Sequence, residues 1–377
     1  MRVAFHVDQL WSSAPGGIGT YVWELVEAFD AMAEPELTLF RSRVDGAPAR
    51  RFGREHEVVE IPWPIRRLYP SWNLVARPPL PERLATADVL HATNPAAVPP
   101  AADGQGLVVT VHDLAFDRFP QAFPAAWRTL YRTGARAAVR RADVLLVPTH
   151  ATEDDLIDRG ADPDRIRVTP LASSLPAANV EPGEVAARHG VDGPFVLCPG
   201  TLEPRKNQVR LIRAYRQLAR DVPHALVLAG PDGWLMDEVD AELARPGPGT
   251  IVRTGRLDAE ELDALYRAAD LVAYPSLYEG FGLAIVEAMA RGVPVVTSTA
   301  PACAEVAGDA AILVDPLDVG GLADALARAL TDDDLRADLV ARGRDRAATF
   351  SWNATAEATL DAYRDAVAGT ARTAVRA

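Results

Sequence analysis

Short apolar runs rich in Val, Leu and Ile alternate along the chain with longer stretches whose apolar residues return every three or four positions. The runs at 3–7, 37–40, 89–91, 107–111, 144–147 and 166–169 predict strands, and 19–32, 125–141 and 151–159 predict helices between them. Strand–helix alternation of this kind predicts a parallel sheet covered on both faces. The pattern weakens over 171–192, which is rich in Pro, Ala, Ser and Gly, and then restarts. The second series predicts strands at 195–198, 225–229, 250–253, 271–274 and 293–297, with helices at 207–220, 258–268, 283–291, 319–329 and 332–349. The expected fold is therefore α/β, with two doubly wound domains of similar size. The first covers 1–172, a linker 173–192, and the second 193–350.

Length agrees with that division, because 377 residues exceed one ordinary core. Hydrophobic residues at 49% and charged residues at 24% are the balance of a globular enzyme. A formal net charge of -13 argues against a partner held by general positive charge, so no nucleic acid is expected. Two cysteines far apart, Cys198 and Cys303, argue against a disulfide framework or a zinc site and fit a reducing compartment. The first apolar run is too short for a signal-peptide core and no run is long enough to span a bilayer, so the expectation is a cytoplasmic chain. Almost every basic residue is Arg; the one lysine, Lys206, follows Arg205 directly.

Candidate chemistry gathers where strands are predicted to end, which is where doubly wound sheets bind ligands. Glu279, Gly280, Phe281, Gly282 and Leu283 lead from a strand into a helix. The two glycines let backbone approach a ligand, and the helix start offers free N–H groups to an anion. Glu287 lies eight residues after Glu279. Carboxylates suit sugar hydroxyls, because each accepts hydrogen bonds from them. Together these predict a site for phosphate, ribose and hexose; taken alone, the segment also reads as a turn flanked by solvated glutamates. Arg205 and Lys206 follow the first strand of the second domain, where a guanidinium fork and a point charge could neutralise a diphosphate. Gly16 and Gly17 open the first helix and offer a further backbone anion contact. His112 and Asp113 end a strand, and a histidine there can donate to a hydroxyl or steady charge on a sugar ring. His91 and His150 also end predicted strands. Asp162-Pro163-Asp164 matches the Asp-x-Asp pattern of metal-dependent sugar transferases, but Pro163 favours a turn.

These motifs together resemble the retaining family-4 glycosyltransferases of the GT-B fold. Glu279-Gly280-Phe281-Gly282-Leu283 followed by Glu287-Ala288-Met289-Ala290 is similar to that family's E-x7-E motif. Leu202 to Asn207 resembles its diphosphate-binding turn, and Pro15-Gly16-Gly17, Pro294 to Ser298 and Glu305 with Gly308 to Ala311 fit as well. The resemblance implies two Rossmann-like domains facing across a cleft, with a nucleotide-diphosphate sugar as substrate on the second and a glycan or lipid-linked acceptor on the first. By that resemblance Glu279 contacts the hexose, Glu287 the ribose, Arg205 and Lys206 the diphosphate, and His112 the sugar. Gly16 and Gly17 close over the diphosphate, and a last helix near 352–370 returns to the first domain. It also implies transfer with retention, no cofactor and no metal. The donor is GDP-mannose by analogy, or a UDP-hexose. Two departures stand out: Pro170-Leu171-Ala172 in place of Pro-Asn-Gly, and Ala302-Cys303-Ala304-Glu305 in place of Leu-Pro-Glu.

No side chain is an obvious covalent nucleophile. The expected mechanism is therefore front-face attack, with a departing phosphate oxygen taking the acceptor's proton. A sugar-nucleotide epimerase of the same fold and a non-catalytic glycan-binding protein on a transferase scaffold are the alternatives. Arg128, Arg132, Arg136 and Arg140 recur every four residues, and the segment 61–69 mixes aromatics with Arg. This reads either as a peripheral contact with an anionic membrane or as a solvated face.

Overall fold

A computed structural model describes residues 1–12, 15–48, 50, 52–175 and 180–376. The chain divides into two units, Met1–Leu171 with Ser351–Ala377, and Ala172–Phe350.

The first unit is built on a parallel sheet of β1 (Arg2–His6), β2 (Glu36–Ser42), β3 (Val58–Ile61), β4 (Val89–Ala92), β5 (Gly106–Thr110), β6 (Val144–Val147) and β7 (Ile166–Val168). Their order is β3-β2-β1-β4-β5-β6-β7, so the winding reverses between β1 and β4. Side chains alternate faces along each strand. Ala4, Phe40, Leu90, Leu107, Val109 and Leu145 share one core with the helices Ile65–Val75 and Ala125–Arg141. The opposite face carries Phe5, whose ring meets those of Phe29 and His91 edge-on. The helices Gly16–Met32 and Trp352–Arg376 cover that face.

The second unit has β8 (Phe195–Pro199), β9 (Ala225–Ala229), β10 (Ile251–Gly255), β11 (Leu271–Tyr274), β12 (Val295–Ser298) and β13 (Ile312–Val314), again all parallel. The order β10-β9-β8-β11-β12-β13 places its reversal between β8 and β11. Both central strands are buried along their whole length, as a sheet covered on two faces requires.

Differences from the sequence reading fall at edges and connections. β3 and β13 went unpredicted because they are edge strands, part-exposed and without a clean apolar run. The first helix begins at Gly16, three residues early, so the glycines form its first turn. The expected linker holds a helix, Pro182–Arg188, packed on Ala259–Ala268, while residues 176–179 within it lie outside the described residues.

Candidate functional site

The two loops singled out in the second half follow β8 and β11, the neighbouring strands between which the winding reverses. After β8, Pro204–Lys206 make one tight turn and Asn207 adopts a left-handed conformation, φ 62°. The Asn207 amide donates to the carbonyls of Pro275 (3.0 Å) and Pro316 (2.7 Å), and the Leu277 N–H donates to the Arg205 carbonyl (2.8 Å). The loops are thus stitched together by backbone and amide hydrogen bonds before any charge is considered.

Side chains then converge on Glu279. Arg205 Nη1 donates to Glu279 Oε2 at 2.5 Å and to the Tyr278 carbonyl at 2.9 Å. Lys206 Nζ donates to Glu279 Oε1 at 2.6 Å and also to the Tyr274 hydroxyl. Arg205 Nη2 reaches buried Glu203 at 2.5 Å. Both cations are largely buried, which rules out a solvated basic pair. Two cations and two carboxylates leave the cluster close to neutral, its cations desolvated and oriented in advance. Burial alone would push the Glu279 carboxyl up. Arg205 and Lys206 overcome it and hold the group at about 2, so Glu279 is ionised at neutral pH. Tyr274, raised well above its ordinary value by burial and by Glu279, keeps its proton.

Gly282 (φ 97°) carries the chain into the helix Leu283–Ala290 with backbone that disfavours a side chain. Glu287 sits on the second turn of that helix, buried, and accepts one bond from the Tyr266 hydroxyl at 2.9 Å. Burial raises its carboxyl, opposed by Tyr266 and by Arg291. Unlike Glu279, it has no cation in direct contact among the described residues, so added hydroxyl donors would stabilise its anion. The Phe281 ring corrects one expectation. It packs edge-on against Phe350 in the interior, so it fixes the loop's shape, and a donor contact there would use backbone. Gly280 is buried between Glu279 and Phe281, and Leu283 is half-buried at the helix start.

In the first unit, Gly16 and Gly17 are exposed at the start of their helix. His112, after β5, donates from Nε2 to the Thr93 carbonyl at 2.9 Å, because a carbonyl can only accept. Burial lowers its pKa, against the Thr93 bond and Asp113. A neutral ring with its proton on Nε2 leaves Nδ1 an acceptor, so this ring does not fit the expected donor role. Asp113 accepts from the Ala115 N–H and shapes the next turn. His91 is a core histidine: Nδ1 meets Tyr363 Oη at 2.6 Å, Nε2 meets Thr110 Oγ1 at 2.7 Å, and burial lowers its pKa to about 3. His150 pairs with Glu153 at the surface. Asp162 spends its carboxylate on the Asp164 N–H, as a turn does.

Sequence reasoning missed Glu203 and Tyr274. Both lie beside residues it chose, yet nothing in their spacing shows that they hold Arg205 and Lys206.

Two doubly wound parallel sheets, one with a buried cation–carboxylate cluster at its switch point, define a glycosyltransferase of the GT-B architecture. Family models agree: "Glycosyltransferase Family 4" matches residues 15–172 and "Glycosyl transferases group 1" matches 185–346. The chain belongs to glycosyltransferase family 4. It is 35% identical over 266 residues to O-antigen chain mannosyltransferase B of Escherichia coli, covering 68% of this chain and 70% of the relative. It is 31% identical over 401 residues to MMP alpha-(1->4)-mannosyltransferase of Mycolicibacterium hassiacum, covering 94% and 95%. Among solved structures, HepE of Anabaena in complex with UDP and glucose superposes with TM-score 0.73 at 20% identity, covering 96% of this chain and 98% of that one. Sucrose-phosphate synthase of Thermosynechococcus elongatus gives 0.73 at 23%, covering 97% and 98%. The protein is a glycosyltransferase.

Proposed function

We propose that the protein transfers a hexose from a nucleotide-diphosphate sugar to an acceptor hydroxyl with retention of configuration and without a metal ion. The observation that carries this reading is the joint anchoring of Arg205 and Lys206 on Glu279 at the paired ends of β8 and β11. In the proposed step the acceptor oxygen attacks C1 from the side the diphosphate leaves. The new C1–O bond forms as the C1–O(phosphate) bond breaks, and the acceptor's proton passes to a departing phosphate oxygen. Arg205 and Lys206 compensate the charge left on the diphosphate, taking the place a metal ion holds elsewhere. Glu279 and Glu287 accept hydrogen bonds from sugar and ribose hydroxyls. His112 accepts one through Nδ1.

Mannose is the proposed sugar, with GDP as its carrier, because two of the relatives are named mannosyltransferases, one of them matched over nearly its whole length. A UDP-hexose is the second reading, favoured by the UDP and glucose bound in HepE. The acceptor proposed is a glycan or lipid-linked saccharide, as the O-antigen relative's name suggests. Slow donor hydrolysis tests the reading without an acceptor. GDP-mannose and UDP-glucose are offered with EDTA or with manganese, and NMR follows the released anomer. The expected result is α-sugar release from an α-linked donor, unaffected by EDTA and lost in Arg205→Ala. Release of the β-anomer first, or activity that EDTA abolishes and manganese restores, would overturn it.

A further inference from the structure

The predicted arginine stripe does not survive as drawn. Arg132 Nε is tied to Asp117 at 2.7 Å and Arg128 donates to the Pro120 carbonyl at 3.1 Å, so two of the four are used internally. Arg136 and Arg140 remain exposed. What the fold adds is a second helix beside them. Ile65–Val75 and Ala125–Arg141 pack together over the same core. Asn73 and Gly134 mark their contact, since a Cβ on Gly134 would lie 3.1 Å from the Asn73 amide nitrogen. Arg141 at the end of one helix donates to the Trp72 carbonyl near the end of the other, at 2.9 Å. The helices therefore lie side by side. Both bury one face in one core, so both present the other away from the sheet.

That outer face has an unusual make-up. Neither 61–81 nor 119–142 contains an Asp or Glu, in a chain whose net charge is -13. Arg66, Arg67 and Arg77 are exposed, adding to Arg136 and Arg140. Large apolar side chains stand among them: Leu74 is 66% exposed, Val75 64%, Trp127 52% and Trp63 41%. Trp63 and Trp127 stand near the N-terminal ends of their helices, and Leu74 and Val75 at the far end of the first. A polyanion such as nucleic acid would use the arginines and leave Leu74 and Val75 wet. A second copy of the same face would set arginine against arginine. A sheet of anionic headgroups over hydrocarbon satisfies both parts, with charge outside and apolar side chains entering below. Among the described residues no helix is long and apolar enough to cross a membrane, so the contact would be one that lies on the surface.

We propose that the outer face of the helices Ile65–Val75 and Ala125–Arg141 docks the first unit on an anionic lipid bilayer. The inference stands on this surface and is independent of the donor reading. Flotation of the full chain with phosphatidylcholine vesicles, with and without about 30% phosphatidylglycerol, tests it. Recruitment is expected only to the anionic vesicles, weakening steeply as salt rises because exposed charges are screened. The variant R66E/R67E/R136E/R140E should lose at least ~10-fold in partitioning, since roughly four charge contacts are reversed. A control with the same net charge, R188E/R220E/R256E/R328E, reverses exposed arginines of the second unit and should still float. W63S/L74S/V75S should bind at low salt and release at lower salt than wild type. Circular dichroism and donor hydrolysis report folding and the transferase site separately. Three results would overturn the proposal: no flotation at low salt, equal behaviour of the two quadruple variants, or a wild-type dimer that L74S/V75S dissociates.

Discussion

The two sheets share a winding rule and differ in what stands at their carboxyl ends. In the second unit, β8 and β11 deliver Arg205, Lys206, Glu203 and Glu279, charged groups ordered against one another. In the first, His91, Thr110, Tyr21 and Tyr363 form an uncharged network and His112 is neutral and fixed on a carbonyl, while the buried carboxylate of Asp8, after β1, accepts from the Tyr69 hydroxyl and the Ser42 N–H with no Lys or Arg of the described residues beside it. One scaffold therefore carries two electrostatic designs. Orienting desolvated cations in advance suits a leaving group that gains negative charge. A neutral acceptor suits a hydroxyl that must be positioned without being charged. The same residue type also sits in two settings within one sheet: His91 on β4 is spent on packing, while His112, after the neighbouring strand β5, keeps Nδ1 as an acceptor.

Breaking the charged design should have the largest effect. Arg205→Ala or Lys206→Ala is expected to lower turnover by about 10²–10³, as loss of one preorganised donor does. Unchanged turnover in either would erase the contrast between the units. Glu279→Gln comes next, because it leaves two buried cations short of a partner. A stability loss of about 3–5 kcal/mol is expected from denaturant titration. The pH dependence has a definite sign. The folded Glu279 carboxyl titrates at about 2, below its ordinary 4.5, so its contribution is complete above 4.5 and fades as pH falls toward 2. Glu279→Gln should flatten that acid limb, and an unchanged limb would place the ionised group elsewhere.

Smaller changes sharpen the comparison. Tyr274→Phe keeps the ring beside Lys206 but removes the hydroxyl that holds Nζ. A stability loss of roughly 1 to 1.5 kcal/mol, the net worth of one hydrogen bond, is expected from denaturant titration, with a fall in kcat as the Lys206 ammonium loses one of its two holds. A fall confined to KM would mean that Tyr274 acts on binding alone. His112→Asn should cost only several-fold. The lowered pKa of His112 predicts no change in its charge above pH 6.5, so wild-type kcat/KM should show no His112 inflection between pH 7 and 8. An inflection there that the variant removes would give His112 a charged role.

The central strands were legible because a strand covered on both faces writes itself as an unbroken apolar run, as Val144–Val147 does. The edge strand Val58–Ile61 was not, since its exposed side chains follow no such rule. The helix Ile65–Val75 hid behind Pro70 and its mixture of aromatics with Arg, and was read as an interfacial segment. At the site, glycine and charge at strand ends pointed to Arg205, Lys206, Glu279 and Glu287. Partnership could not be read from the chain: that Arg205 lies between Glu203 and Glu279, or that Phe281 turns inward on Phe350, depends on loops brought together by the sheet. Arg132 shows the same limit, since Asp117, which neutralises it, sits fifteen residues away.

Calorimetric titration with nucleotides addresses the charged cluster most directly. UDP, GDP and their monophosphates are titrated in EDTA into wild type and Lys206→Gln. The preferred diphosphate should bind wild type at least ~10-fold tighter than its monophosphate, a difference of about 1.4 kcal/mol, and Lys206→Gln should erase most of that preference. Equal affinities for the two nucleotides, or a preference that Lys206→Gln leaves intact, would contradict a diphosphate held by Arg205 and Lys206.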